Sequence, residues 1–545
     1  MLPISPPPTP TTELSSNYKP GHYHPIHFGD LFKNGRYKVI RKLGYGSFAT
    51  VWLAHDNEKH RYVALKVIVS KDSHKTSELS ILQKITSLAT TSSHPGRHHI
   101  TILLDHFFHL GPNGRHLCLI FEIMGPSSAS MVRELDCNQT PERKYESPKK
   151  YALPMVKRLL RHTLLGLGFL HENGIVHGDL NPGNLLFSVA LRNAGEEELR
   201  QQVELGTSLL GTEKRGTSLG LKDVTNVMKV AMTLVTTTAA KEEENGKLKP
   251  KIKLKKLDGS GSRIANGFLR WFKSKRKPGS KARKTGENDK NDTPKADFPS
   301  TKNAVPQYLA VPQSLAKFVD PKNFTVKISD FGGEKAITPS YLCPPEMIVP
   351  QTETETETNM SNTPLHQTNT NTPPLPTPKA DIWAIGCLIY EFLTGTSLFD
   401  LSQGTTPERL LDLQMVLMEE VIGPMPEGMW RGWGRGGRYF GVGEADEGDK
   451  VDELGEDDEV SKVSKVSKVD ERRKRRRRGA NIAQLGIVGD QSQSLEQRFE
   501  KHKSASLSTE ESNQALKVMR WILCYDAEKR PTARELLECE WFNGE

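Results

Sequence analysis

The sequence predicts an α+β fold of two lobes, an antiparallel β lobe followed by a mainly α lobe, with long disordered inserts. Three observations carry that expectation. Short apolar runs rich in Val, Ile and Phe, separated by Gly, Asn and Asp, crowd the first 125 residues. Beyond residue 150 the apolar period turns helical. Long stretches of low complexity then interrupt the helical part, and they bury too little apolar surface to offset the entropy of an ordered chain.

The strands come first. "RYKVIRKL" (36–43), "TVWLAHD" (50–56), "RYVALKVIV" (61–69), "HITILLDHFF" (99–108) and "HLCLIFEIM" (116–124) are predicted to form one small sheet. One helix interrupts them, "TSELSILQKITSLA" (76–89), where Leu79, Leu82 and Ile85 recur at helical spacing and Thr76 or Ser77 can cap. A second helix, "ALPMVKRLLRHTLLGLGFLHENG" (152–174), is expected to stop at Gly174. The expected organisation is a disordered tail over 1–21 and a sheet lobe over 22–125. The helical lobe follows in four pieces, 126–188, 322–349, 379–435 and 509–545, separated by inserts 189–321, 350–378 and 436–508. Such inserts leave a fold intact when they exit and return at a surface loop, because closure entropy grows slowly with length.

The 545 residues carry a net charge of +9, and that charge is blocked. Residues 247–284 hold 15 Lys/Arg against Asp258 alone, residues 444–459 hold ten acids against Lys450, and "RRKRRRR" occupies 472–478. Like charges in blocks repel and stay solvated, with a nuclear-import signal or nucleic-acid contact as compatible added roles. Six cysteines at 118, 137, 343, 387, 524 and 539 show no C-x-x-C pairing, which argues against a zinc site or disulfide framework. The opening "MLPISPPPTPTTELSS" lacks the apolar centre of a signal peptide, and no run approaches the roughly 18 apolar residues of a membrane span. A soluble, intracellular protein is expected.

Chemistry enters at "LGYGSFATVWLA" (43–54), which lies between two strands. A dinucleotide fingerprint needs a helix after G-x-G-x-x-G, and Ala49 stands in the third glycine's place, so that reading fails. Two readings stay open, an ordinary hairpin turn and a glycine hairpin in which Gly44 and Gly46 let backbone N–H groups approach phosphate oxygens. "VALKV" (63–67) puts Lys66 between apolar Leu65 and Val67, so its head points to one face of a strand. Glu78, 12 residues on and at the start of the predicted helix, is in reach of it.

Order then decides. After Lys66 and Glu78 come "HGDLNPGNLLF" (177–187), "VKISDFGGE" (326–334), "CPPEMI" (343–348), "ADIWAIGCLIYEFLTG" (380–395) and "CYDAEKRPTARELLECEWF" (524–542). In this order the chain resembles the eukaryotic protein-kinase family, whose catalytic loop has the frame H-x-D-L-x-x-x-N. "HPIHFGDLFKNGRYKVIRKLGYGSFATVWLAHD" (24–56) and the long spacer before "DFG" are similar to the serine/arginine-rich protein kinases, their fungal members most of all. The resemblance covers 22–188, 322–349, 379–435 and 509–545. It implies a bilobal protein kinase fold and a serine/threonine kinase using ATP and Mg2+. Asp179 would be the base, Asn184 and Asp330 the metal ligands, and Lys66 the residue on the α- and β-phosphates, steadied by Glu78. Leu43, Gly44, Gly46, Ser47, Val51, Ala64 and Leu186 would enclose the nucleotide, with the backbone of Glu122 to Met124 on the adenine. Glu346 and Arg530 would form a buried, structural ion pair.

Two departures qualify the resemblance. Gly178 stands where Arg is usual, which implies activity independent of phosphorylation at Thr338 or Ser340. Asn181 replaces a phosphate-contacting Lys; a charge-assisted bond worth roughly 1.5–3 kcal/mol becomes at best a neutral one, slowing transfer by about ten- to a few-hundred-fold. The segment from Asp330 to Glu346 is also short, which bears on peptide recognition. A pseudokinase that binds ATP or scaffolds a partner is the alternative. The resemblance further implies arginine/serine-rich mRNA-processing factors as protein substrates and, together with the basic runs, a shuttling cytoplasmic and nuclear distribution; a monomer is expected, with no membrane association and no direct nucleic-acid binding. Acidic pairs such as Glu419–Glu420 read as ordinary solvated surface.

Overall fold

In the computed structural model the described residues are 12–74, 77–134, 150–191, 194–201, 305–331, 340–349, 375–402, 406–433, 435–436, 439 and 493–543. The first part is a six-stranded antiparallel sheet in the order β1-β2-β3-β4-β6-β5. Its strands are β1 (Leu31–Phe32), β2 (Tyr37–Tyr45), β3 (Ala49–Asp56), β4 (Arg61–Ile68), β5 (Leu103–Gly111) and β6 (Gly114–Glu122). Helix α1 (Glu78–Thr91) falls between β4 and β5. Alternation sorts the sheet's two faces. Trp52, Val63, Leu65 and Val67 pack with Phe32, Tyr37 and Ile120 on one side. Val51, Ala64 and Lys66, half-buried, share the other, with Val51 opposite Lys66 in the register.

The second part is helical around a β7 (Leu185–Phe187) and β8 (Val326–Ile328) ribbon. Helix α2 (Ser128–Glu134) and α3 (Leu153–Glu172) precede it, and Gly174 follows α3 at φ 65°, the left-handed turn expected of a helix stop. Short α4 (Glu196–Leu199) and α5 (Pro345–Ile348) lead to α6 (Pro378–Thr394), whose apolar residues are buried almost all round, as befits a core helix. Then come α7 (Pro407–Val421), α8 (Glu427–Gly432), α9 (Leu495–His502), α10 (Thr509–Ile522), α11 (Ala533–Glu538) and α12 (Glu540–Asn543). One apolar core joins α3, α6, α7 and α10 to the underside of the sheet through Leu82, Ile85, Leu117 and Leu119. Among the described residues no helix is long and apolar enough to cross a membrane.

Three boundaries differ from the sequence expectation. In the expected tail, Glu13 and Tyr18 are buried, and the Glu13 carboxylate pairs with Lys42 and Tyr18. In the expected spacer, residues 194–201 and 305–319 lie against the sheet, with Leu199 and Leu315 buried beside Ile40 and Leu53. In the expected charged insert, α9 is closed by a capping box between Ser494 and Gln497 and buries Leu495 and Phe499. The reason is common to all three. A few apolar residues at the right spacing suffice to dock a short segment, and composition averaged over a long window hides them. Thr338 and most of the three inserts lie outside the described residues.

Candidate active site

Lys66 on β4 is the hub. Its Nζ lies 2.6 Å from Glu78 Oε1, on the first residue of α1, and 2.8 Å from Asp330 Oδ1, just past β8. Burial alone would lower a lysine's pKa, but the two carboxylates outweigh it and hold the ammonium well above its usual value. The same charge holds the Asp330 carboxyl below the usual carboxylate range, against the effect of burial. Asp330 has φ 67°, a left-handed conformation costly for a residue with a Cβ. Such strain persists where the surroundings impose it, here the β7–β8 ribbon on one side and Phe331 on the other. Phe331 is buried with its ring 5.4 Å from that of His177.

The loop 177–184 is built from its own side chains. Buried Asp381 on α6 accepts from the N–H groups of His177 and Gly178, each at 2.9 Å, and lies 2.9 Å from His171 Nε2. Gly178 takes φ 73°, which gives the glycine a backbone reason that its lost charge alone did not suggest. Asn181 and Asn184 both turn toward Asp179. Asn181 Nδ2 donates to the Asp179 carbonyl at 3.0 Å and to its Oδ1 at 3.1 Å, while Asn184 Nδ2 donates to the same carbonyl at 2.9 Å and to Oδ2 at 3.3 Å. Burial pushes the Asp179 carboxyl upward, opposed chiefly by the Asn181 bond.

The sequence suggests Asn181 as a neutral donor to phosphate. Here its amide is engaged at both ends, because its oxygen also accepts from Gly183 N at 2.8 Å, capping the 182–184 turn. Its geometry is that of a residue supporting Asp179 from within the loop. Asn184, with its nitrogen taken by Asp179, leaves its amide oxygen for a cation. Among the described residues no group of three His, Cys, Asp or Glu side chains is placed to hold a metal ion. Asn184 and Asp330 would offer a divalent cation hard oxygen ligands here.

Around this centre, Gly44 is half-buried and Gly46 and Ser47 are exposed at the β2–β3 turn, while Leu43 and Leu186 are half-buried and Met124 is buried. Glu122 ends β6, and its carboxylate meets Lys327 of β8 at 2.7 Å, a pair not foreseen from sequence. Farther off, Arg530 lies fully buried with Nη1 and Nη2 each 2.7 Å from a Glu346 oxygen and its guanidinium over the Trp383 ring. Glu419 and Glu420 are buried, not the solvated surface expected of them, since they lie on the inward face of α7 and Glu419 accepts from Met425 N.

The protein kinase domain family matches residues 37–194 and 318–542, and the chain belongs to that family. Three of the curated relatives it matches are protein kinases. The chain is 39% identical over 181 residues to Protein kinase dsk1 of Schizosaccharomyces pombe, covering 32% of this chain and 31% of that protein. It is 35% identical over 182 residues to Serine/threonine-protein kinase SKY1 of Saccharomyces cerevisiae, covering 32% and 23%. It is 35% identical over 179 residues to SRSF protein kinase 3 of Homo sapiens, covering 32% and 30%. The matches thus span about a third or less of each of these relatives.

Proposed function

We propose that this chain is a serine/threonine protein kinase that transfers the γ-phosphate of ATP, with Mg2+, to serine or threonine in proteins, arginine/serine-rich mRNA-processing factors foremost. The observation that carries the reading is the convergence of Lys66, Glu78 and Asp330 within 2.8 Å of one ammonium, beside an Asp179 held by Asn181 and Asn184. Bound ATP supplies the transferable phosphoryl group and Mg2+ the charge neutralisation that transfer requires.

The chain's own residues do the rest. Lys66, kept charged by its two carboxylates, holds the α- and β-phosphates, and Glu78 fixes where it points. Asn184 and Asp330 present hard oxygen to Mg2+. Asp179 orients the substrate hydroxyl and accepts its proton at a carboxylate oxygen, with both amides keeping the carboxylate in one rotamer. Phosphoryl transfer is mainly positioning and electrostatics, so a loop that rigidifies its base from within can work without a second cation at 181. The substrate class rests on the relatives, one of which is named SRSF protein kinase 3, and the cytoplasmic and nuclear distribution rests on that likeness and on the basic runs at 247–284 and 472–478.

The test is radiolabelled ATP with an arginine/serine-repeat peptide, and Asp179→Asn as control. Label on serine from the parent and none from the control is expected. Nucleotide-induced thermal stabilisation without transfer would overturn the assignment of activity.

A further inference from the structure

The segment that precedes the sheet lies outside every motif that defines the site, yet it touches the glycine hairpin. The Tyr23 hydroxyl donates to the carbonyl oxygen of Gly46, at the turn of the β2–β3 hairpin, across 2.5 Å. We propose that Tyr23 is a positioning residue for the nucleotide, a latch that holds the glycine hairpin where phosphates must meet it. This deepens the proposed function and rests on that reading.

The latch has a built foundation. Tyr23's own carbonyl accepts from Asn113 Nδ2 at 2.7 Å, in the turn between β5 and β6, and the Asn113 carbonyl accepts from Gly21 N at 2.8 Å. On the other side Lys71 N donates to the Gly21 carbonyl at 2.8 Å and Ser70 N to the His22 carbonyl at 3.2 Å. The segment is therefore tied to two turns of the sheet before it touches the hairpin. Tyr23 itself is buried with Tyr18 and Val69, the two tyrosine rings 5.6 Å apart. Val69 closes the arrangement from beneath, since its N–H donates to the Phe48 carbonyl at 2.9 Å. The turn of the hairpin is thus held at Gly46 by Tyr23 and at Phe48 by Val69, and these two residues pack against each other.

The consequence is energetic. Glycine turns carry the largest backbone freedom of any segment, and a phosphate that must order one binds more weakly by that entropy. A hairpin already held at its carbonyls, and at the Gly46 N–H by the Ala49 carbonyl at 2.9 Å, presents its remaining N–H groups without that cost. Burial and the nearby Glu13 carboxylate both keep the Tyr23 phenol protonated, so the donor is permanent.

The test is Tyr23→Phe, which keeps the ring and removes only the hydroxyl. One neutral hydrogen bond corresponds to a three- to tenfold change in an equilibrium, so the KM and Kd for ATP should rise about three- to tenfold. The kcat and the KM for peptide should change less than twofold, and amide exchange should quicken over residues 44–48 but not in the β5–β6 turn. Tyr18→Phe, whose hydroxyl bonds Glu13 instead, is the control and should leave ATP affinity unchanged. An unaltered ATP Kd in Tyr23→Phe, or one that moves equally in both variants along with the melting temperature, would overturn the latch. A parent chain that binds no nucleotide would instead overturn the function proposed above, so the two failures are distinct.

Discussion

Acid should loosen the sheet lobe, and His116 sets how much. Its ring is fully buried, Nδ1 donates to the Ile68 carbonyl at 2.9 Å, and Nε2 has no partner. The ring of His24 lies 5.1 Å away, with its buried Nδ1 also unpartnered, and His109 stands 4.6 Å from His24. Burial lowers His109 against the pull of Asp30, and burial, His109, His116 and His27 together oppose a charge on His24. Burial holds His116 down to about 4, against the Ile68 bond. The sign follows from linkage. A folded-state value below the unfolded 6.5 means that the unfolded chain takes up the proton first, so stability present above pH 6.5 is lost as pH falls toward 4. Integrated from pH 7 to pH 5, His116 alone accounts for a loss of about 2 kcal/mol. His24 is shifted the same way for the same reason and adds to it. His116→Asn keeps a donor for Ile68 and removes the titration. Urea unfolding at pH 7 and pH 5 should show the parent losing about 2 kcal/mol more than the variant. Equal losses would mean that the ring is already solvated or charged in the fold, and the reasoning would fail.

Other outcomes follow from the same geometry. Arg530→Leu strips Glu346 of a bidentate partner and should cost about 3–5 kcal/mol in unfolding free energy, measured by denaturant titration. Asn181→Ala removes both the cap on Gly183 and the bond to Asp179, so kcat should drop about tenfold or more while ATP affinity stays level; an unchanged kcat would return Asn181 to the role of bystander. Gly166→Ala would drive a Cβ within 2.8 Å of the His99 carbonyl and 2.9 Å of Ile328, and should lower the melting temperature by several degrees. Replacing residues 202–304 by a linker of about ten residues should leave ATP affinity unchanged and stability equal or higher by up to about 2 kcal/mol, read from ATP titration and unfolding.

Much of the site was legible because its residues obey local rules. Lys66 could be placed on one face of its strand from the alternation of Leu65 and Val67, and the structure puts it with Val51 and Ala64 on the face away from Trp52. Glu78 is expected at the start of a helix and stands there, with Ser77 before it. Asp179, Asn184 and Asp330 were legible as a series, through the order of the motifs around them. What was not legible depends on contacts with backbone. Tyr23 in "GHYHPI" has no period or charge to mark it, and its partner is a carbonyl 23 residues away that any amino acid would offer. Asn181 looked like a weakened cation site because sequence shows what a residue replaces, not that its two amide ends would meet Gly183 and Asp179. Gly178 likewise showed its missing charge and hid its positive φ.

The distribution of these backbone contacts explains how so interrupted a chain keeps one sheet. Three segments far apart in sequence meet at Lys42 on β2. Its buried ammonium pairs with Glu13, its N–H donates to Gln201 Oε1 at 3.0 Å, and its carbonyl accepts from Gln313 N at 3.0 Å. Gln201 Nε2 in turn donates to the Val311 carbonyl at 2.7 Å, which ties the two ends of the long spacer to each other. Once both ends are fixed at one place, the length between them enters stability only logarithmically, about 2 kcal/mol for a tenfold change. The family match breaks at 194 and resumes at 318, close to these two anchors, as expected if the anchors rather than the intervening sequence are what the fold requires. Lys42 also stands two residues before Gly44, so the spacer's attachment and the glycine hairpin share one stretch of β2. Tyr23 holds that hairpin at its turn, so the strand that carries the candidate phosphate loop is fixed at Lys42 by segments whose composition alone marked them as dispensable and at Gly46 by a residue from the start of the sheet lobe.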